Sequence, residues 1–165
     1  MNQVKPYNTE AGKKSEVEDM FDNIAPKYDL LNHVLSMKID VLWRNTLVKW
    51  MHKDQPKEVL DVATGTGDLA IAVQKGTSAK VVGLDLSQQM LNVGIEKIKK
   101  LNLDQQISMQ KGDAENLPFE SNKFDAVSVA FGVRNFENLE KGLAELRRVV
   151  KKEKSVYILE FSKVE

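Results

Sequence analysis

The sequence has no cysteine among its 165 residues. That excludes a disulfide framework, a thiolate nucleophile and any cysteine metal site. Histidine is scarce: only His33 and His52 occur, too few to make a zinc site alone. Charge of one sign is also lacking, since 24 Lys and Arg balance 24 Asp and Glu. A neutral chain gives no electrostatic reason to expect nucleic acid as the main partner. No apolar run approaches the ~20 residues of a membrane span. The first residues are polar and charged, unlike a secretory leader, so the expected compartment is the cytoplasm. What remains is 42% hydrophobic and 29% charged residues, an ordinary globular composition with enough chain for one sizeable core.

Residues 1–13 are polar and aperiodic and read as a flexible tail. From about Ser15, Val17, Met20, Phe21 and Ile24 recur at helical spacing until Pro26 interrupts. A second periodic stretch from about Leu30 to Met51 carries Leu31, Leu35, Ile39, Leu42, Trp43, Leu47 and Trp50, with Ser36 to Asp40 as a possible division. Residues 14–52 therefore read as a helical cap in front of a core spanning 53–165. In that core, strands are expected at 58–63, 80–85, 107–110, 124–130 and 155–161. Helices are expected at 68–75, 87–100 and 139–150, the last with Leu143, Leu146 and Val150 inward. Strand–helix alternation implies a parallel sheet with right-handed crossovers. Ligands then bind at the carboxyl ends of the strands, where Asp61, Asp85 and Asp113 stand.

The first strand runs into Asp61-Val62-Ala63-Thr64-Gly65-Thr66-Gly67-Asp68. Gly65 and Gly67 permit positive φ and close approach of a ligand. Gly65 to Ala70 fits the fingerprint G-x-G-x-x-A, and Asp85 follows Gly65 by the spacing of a ribose-binding acid. The plain alternative is a tight strand-to-helix turn without a ligand. A dinucleotide would place pyrophosphate on the helix N-terminus, where Asp68 would repel it. Asp61 adds a second negative charge. S-adenosylmethionine has no phosphate and carries an ammonium and a sulfonium, which suit such a loop. Asp85 can accept from both ribose hydroxyls, or can serve the helix that Ser87 starts. Asp113 can accept from an adenine amino group beside a backbone N–H of Ala114, or can be a surface turn acid after Gly112.

These segments, with Gly83 to Ser87, Gly112 to Phe119 and Phe124-Asp125, resemble the class I methyltransferase motifs. Tyr28 to Ser36 with Trp43, Phe131-Gly132-Val133-Arg134-Asn135, and Arg148 to Lys151 followed by Leu159 to Ser162 resemble signatures of the ubiquinone/menaquinone biosynthesis C-methyltransferases. The resemblance covers about residues 16–163. It implies a Rossmann-like, mostly parallel α/β sheet with an N-terminal helical cap. It also implies methyl transfer from S-adenosyl-L-methionine to a ring carbon of a polyprenylated quinol, demethylmenaquinol or a ubiquinone precursor. By position, Thr66, Asp85, Asp113 and Ala114 would contact the cofactor, with Asp61, Gly65 and Gly67 shaping its loop. Ala130 replaces a common serine, Asp40 a common histidine, and Lys152-Glu153-Lys154 a usual Pro-Gly-Gly turn. Two further strands of the class I fold would follow the fifth, so the chain reads as C-terminally incomplete.

Carbon methylation needs an electron-rich ring held in line with the methyl donor in a dry pocket. Arg134, after the fourth strand, is the candidate catalytic residue, as a cation that steadies a phenolate. A structural ion pair is the equal alternative. His33 is a weaker base candidate, Tyr28 a candidate lid, and Met20, Phe21, Leu35 and Trp43 a candidate lining for a prenyl tail. No metal constellation is visible. A lipid-tailed substrate allows at most peripheral membrane contact, and a homodimer stays open. Two other readings also stay open: a methyltransferase of another small molecule, and an NAD-binding oxidoreductase or remnant.

Overall fold

A computed structural model of the protein describes residue 6 and residues 12–28 and 39–161. The tail before Gly12 apart from Pro6, most of the Tyr28 to Ser36 signature, His33, Leu35 and Ser162 fall outside the described residues. The order is α1 (Lys13–Ile24), a 3-10 turn (Ala25–Lys27), α2 (Ile39–Lys53), β1 (Glu58–Val62), α3 (Asp68–Thr77), β2 (Lys80–Asp85) and α4 (Gln88–Lys100). Then follow β3 (Ile107–Lys111), β4 (Phe124–Ala130), a 3-10 turn (Val133–Asn135), α5 (Leu139–Val149) and β5 (Val150–Leu159). Pro26 sits where α1 gives way to the 3-10 turn, as a residue without a backbone N–H should.

The sheet runs β3-β2-β1-β4-β5, and every described strand pairing is parallel. This is the Rossmann-like, parallel α/β architecture expected from the motifs. Chain order reverses direction between β1 and β4, and a crevice opens at their carboxyl ends. The inner strands β1, β2 and β4 are apolar on both faces because helices cover both. Val59, Val81 and Ala126 face a cluster with Leu47, Val48 and Met51 of α2 and Leu69, Ala70 and Val73 of α3. Leu60, Val62, Val127 and Val129 face a second cluster with Leu146 and Val149 of α5. Asp61 and Ser128 are register partners across β1 and β4, so two polar groups meet at the centre of the sheet.

Three expectations are corrected. In α2 the inward stripe is Leu47, Val48 and Met51, whereas Ile39, Leu42, Trp43 and Trp50 are exposed. The reason is Gly76 of α3, where an added Cβ would lie 2.3 Å from Val48, so α2 rolls that side against α3. In α5 Leu143 is exposed and Gly142, Leu146 and Val149 face in, because the Phe136 ring packs against Gly142. The fifth strand starts at Val150 rather than Ser155, directly from α5. Lys152-Glu153-Lys154 forms no separate turn. It is taken up as a bulge, with the register jumping from Phe124↔Val150 to Ala126↔Ser155 and Glu153 at φ 62°.

Candidate functional site

The glycine loop is bonded inward. Gly65 and Gly67 take φ of 56° and 81°, which glycine accepts without strain, and Ala63 takes 53°, which costs a residue with a Cβ more. The Thr64 N–H donates to Leu84 O at 3.0 Å, and the Gly67 N–H to Thr64 O at 2.9 Å. The Gly65 N–H donates to Asp85 Oδ2 at 2.7 Å. The other Asp85 oxygen receives the Ser87 N–H at 2.9 Å, and Ser87 Oγ accepts from Met90 N–H as the cap of α4. Burial raises the Asp85 pKa, and the backbone N–H groups of Ser87, Gly65 and Leu86 oppose that rise. One carboxylate thus ties the loop to the end of β2. A carboxylate offers about four acceptor sites, so with these three N–H groups in place Asp85 can still accept a further bond.

A cleft enclosing about 730 Å³ of free space, its open mouth included, lies over the ends of β1, β2 and β3. Gly65, Asp85, Asp113 and Ala114 line it, and α1 covers it with Lys14, Val17, Glu18 and Phe21. Helix α1 is strapped down by polar contacts. Lys14 Nζ pairs with Asp113 Oδ2 at 2.7 Å and Lys111 Nζ with Glu18 Oε1 at 2.7 Å. Lys13 Nζ donates to Phe136 O at 2.7 Å and Arg134 O at 3.0 Å. Asp22 accepts from the Ser87 hydroxyl and, at 3.2 Å, from Gln89 N–H. The other Asp113 oxygen accepts the Glu115 N–H at 2.9 Å.

A second cleft lies beyond a shared wall of Tyr28, Ala63, Gly65, Ala130 and Phe131. It is rich in charge: Asp40, Arg44, Asp61, Asp68 and Arg134 line it with Thr64 and Thr66. Asp61 is 1% exposed. Its oxygens accept from Thr64 Oγ1 at 2.6 Å and Ser128 Oγ at 2.7 Å. Burial pushes its pKa up to about 6, the two hydroxyls work the other way, and Asp85 adds to the rise while Arg44 opposes it. Arg44 Nη2 pairs with Asp40 at 2.6 Å and reaches Asp68 at 3.5 Å. Lys97 Nζ holds Asp68 at 2.7 Å and Thr66 Oγ1 at 3.2 Å. At the rim Phe131, at φ 58°, stacks on Phe161 with centroids 5.0 Å apart, and Trp43 meets Phe161 edge-on. A bulky side chain at positive φ is costly and marks a position where the surroundings dictate the backbone.

The expected site residues therefore gather at one crevice but divide between its halves. Asp85, Asp113 and Ala114 line the first, Asp61, Thr66 and Arg134 the second, and Gly65 both. Gly67 lines neither. It turns the chain into α3, where an added Cβ would sit 3.1 Å from Met109 Cε. The charge argument from Asp68 is corrected, because Lys97 and Arg44 already balance that carboxylate. Asp113 is an ion-paired acid as well as a cleft residue. Arg134 lies 53% exposed, pairs with Glu160 at 3.5 Å and stands 5.4 Å over the Phe161 ring, so the ion pair weighed for it is present. Phe21 lines the first cleft, Trp43 belongs to the aromatic rim, and Met20 lines neither cleft. Sequence reasoning missed Lys14, Glu18 and Arg44. Their signals were there: Lys14, Val17, Glu18 and Phe21 share a helical face, and Arg44 follows Asp40 by one turn. Among the described residues no group of three or more His, Cys, Asp or Glu is placed to hold a metal.

Residues 9–165 match the family model described as the ubiE/COQ5 methyltransferase family. Curated relatives include a demethylmenaquinone methyltransferase of Bacteroides fragilis, 48% identical over 160 residues, which cover 96% of this chain and 65% of that protein. The ubiquinone/menaquinone biosynthesis C-methyltransferase UbiE of Geotalea uraniireducens is 44% identical over 156 residues, covering 93% and 66%. The chain thus spans about 65% of the length of the relatives it matches. Among solved structures, a SAM-dependent methyltransferase of Aquifex aeolicus aligns with TM-score 0.60 and 31% identity over 66% of this chain and 58% of that one.

Proposed function

The chain belongs to the ubiE/COQ5 methyltransferase family, and from that membership we propose that it binds S-adenosylmethionine across both clefts and methylates a ring carbon of demethylmenaquinol. The observation that carries the cofactor reading is the direction of the loop amides. Thr64, Gly65 and Gly67 spend their N–H groups on Leu84, Asp85 and Thr64. A pyrophosphate could not use those donors, and it would also face the carboxylates of Glu18, Asp85, Asp113 and Glu115, against Lys14 in the lining and Lys111 on Glu18. A phosphate-free nucleoside bearing positive charge suits this donor set.

When bound, the cofactor supplies an electrophilic methyl group on a sulfonium. Asp85 accepts from the ribose hydroxyls through its remaining lone pairs. Asp113 and the Ala114 N–H address the adenine edge, with Lys14 sharing Asp113. Tyr28, which shares the wall between the clefts with Gly65, separates the nucleoside half from the charged half. Ionised Asp61 draws the ammonium. Phe131, Phe161 and Trp43 give the mouth of the second cleft an apolar rim. Arg134, beside them and half-exposed, steadies the negative oxygen of the acceptor ring once its hydroxyl proton has passed to solvent water. The lipid tail of such an acceptor calls for peripheral contact with a membrane. Among the described residues no helix is long and apolar enough to cross one. The test is incubation with labelled S-adenosylmethionine and a short-chain demethylmenaquinol. Label should appear in the quinone ring, and Arg134→Ala should lower turnover roughly 100-fold while leaving S-adenosylhomocysteine affinity unchanged. Labelled product at the full rate from Arg134→Ala would remove that residue from the reaction, and no labelled quinone would sink the acceptor assignment.

A further inference from the structure

We propose that Arg44 reads the α-carboxylate of the cofactor's amino-acid arm, so that the site takes the amino-acid-bearing nucleoside over the bare nucleoside thioether. This rests on the cofactor reading above. The Arg44 side chain is only 12% exposed, on the wall of the second cleft. A buried guanidinium needs a countercharge, and Asp40, one turn back at 2.6 Å, supplies it. Asp68 leans on Lys97 more than on Arg44: Lys97 holds it at 2.7 Å while Arg44 stands off at 3.5 Å. Both ion pairs of Arg44 run through Nη2. A guanidinium has five N–H donors in a planar fork, so donors remain for a carboxylate.

The surroundings fit a zwitterion. Asp61, whose pKa feels the Arg44 charge, lines the same cleft and offers an acceptor for an ammonium. Arg44 offers donors for the carboxylate beside it. Among the described lining residues the other cation, Arg134, is 53% exposed and engaged with Glu160 and Phe161, so solvent screens it. A planar fork buried in a cleft discriminates a carboxylate better than an exposed, flexible one. Asp40 is then a positioning residue, holding the fork on the cleft side of α2.

The experiment is calorimetric titration of the wild-type chain, Arg44→Gln and Arg44→Lys with S-adenosylhomocysteine and with 5′-methylthioadenosine, which has the nucleoside and thioether but no amino acid. Arg44→Gln should weaken S-adenosylhomocysteine roughly 10- to 100-fold and leave 5′-methylthioadenosine unchanged. Arg44→Lys, which keeps the charge without the fork, should show the same selectivity at a smaller loss, and it carries the test if the Gln variant does not fold. Equal loss for both compounds, or none for either, overturns the role of Arg44 alone. A wild-type chain that binds neither compound overturns the cofactor reading and this proposal with it.

Discussion

The two clefts share a wall, yet their carboxylates are satisfied in different ways. In the first, backbone N–H groups do most of it: Gly65 and Ser87 serve Asp85, Glu115 serves Asp113, and Glu137 and Asn138 serve Glu115. In the second, side chains do it: Arg44 serves Asp40, Lys97 serves Asp68, and Thr64 and Ser128 serve Asp61. A carboxylate held by the backbone fixes the chain trace, and its removal loosens a loop. A carboxylate held by side chains can change partners when a charged ligand arrives. The nucleoside half is therefore built into the fold, and the amino-acid half is an exchangeable charge network.

The largest effect is expected where the fold and the ligand depend on one residue. Asp85→Ala should weaken S-adenosylhomocysteine and 5′-methylthioadenosine alike, roughly 10- to 100-fold. It should also lower stability in denaturant titration, since two loop amides lose their acceptor at roughly 1–3 kcal/mol each. Loss confined to S-adenosylhomocysteine would break the division between the halves.

A smaller effect sharpens it. The folded pKa of Asp61 stands at about 6, above the ordinary 3.8. The folded protein thus holds this proton more tightly than the unfolded chain, and its contribution to stability falls as pH rises between those values. Binding runs the other way, because the ammonium needs Asp61 ionised. Affinity for S-adenosylhomocysteine should drop up to tenfold per unit of pH below about 6, while that for 5′-methylthioadenosine stays level. Asp61→Asn should abolish the difference between the two profiles, and parallel profiles in the wild type would contradict the role of Asp61.

Local patterns made much of this legible in the sequence. Apolar runs ending in aspartate or glycine marked β1, β2 and β4 closely, and Ser87 marked the start of α4 through its capping hydroxyl. The glycine pair and Asp85 marked the loop, because only certain residues take those backbone conformations. What stayed hidden was pairing across the fold. Nothing near Asp68 says that Lys97, 29 residues on, neutralises it, and nothing near Asp113 announces Lys14. The orientation of α2 depended on Gly76 in the next helix, so the tryptophans misled. The path of β5 depended on a bulge opposite Phe124, set by the neighbouring strand and not by Lys152 to Lys154 themselves.

The central claim is that this crevice takes a phosphate-free nucleoside with a zwitterionic arm. Calorimetric titration of the wild-type chain with S-adenosylhomocysteine and, separately, with NAD tests it most directly. Saturable binding of S-adenosylhomocysteine with no heat from NAD is the expected result. Binding of NAD with none of S-adenosylhomocysteine would contradict the account.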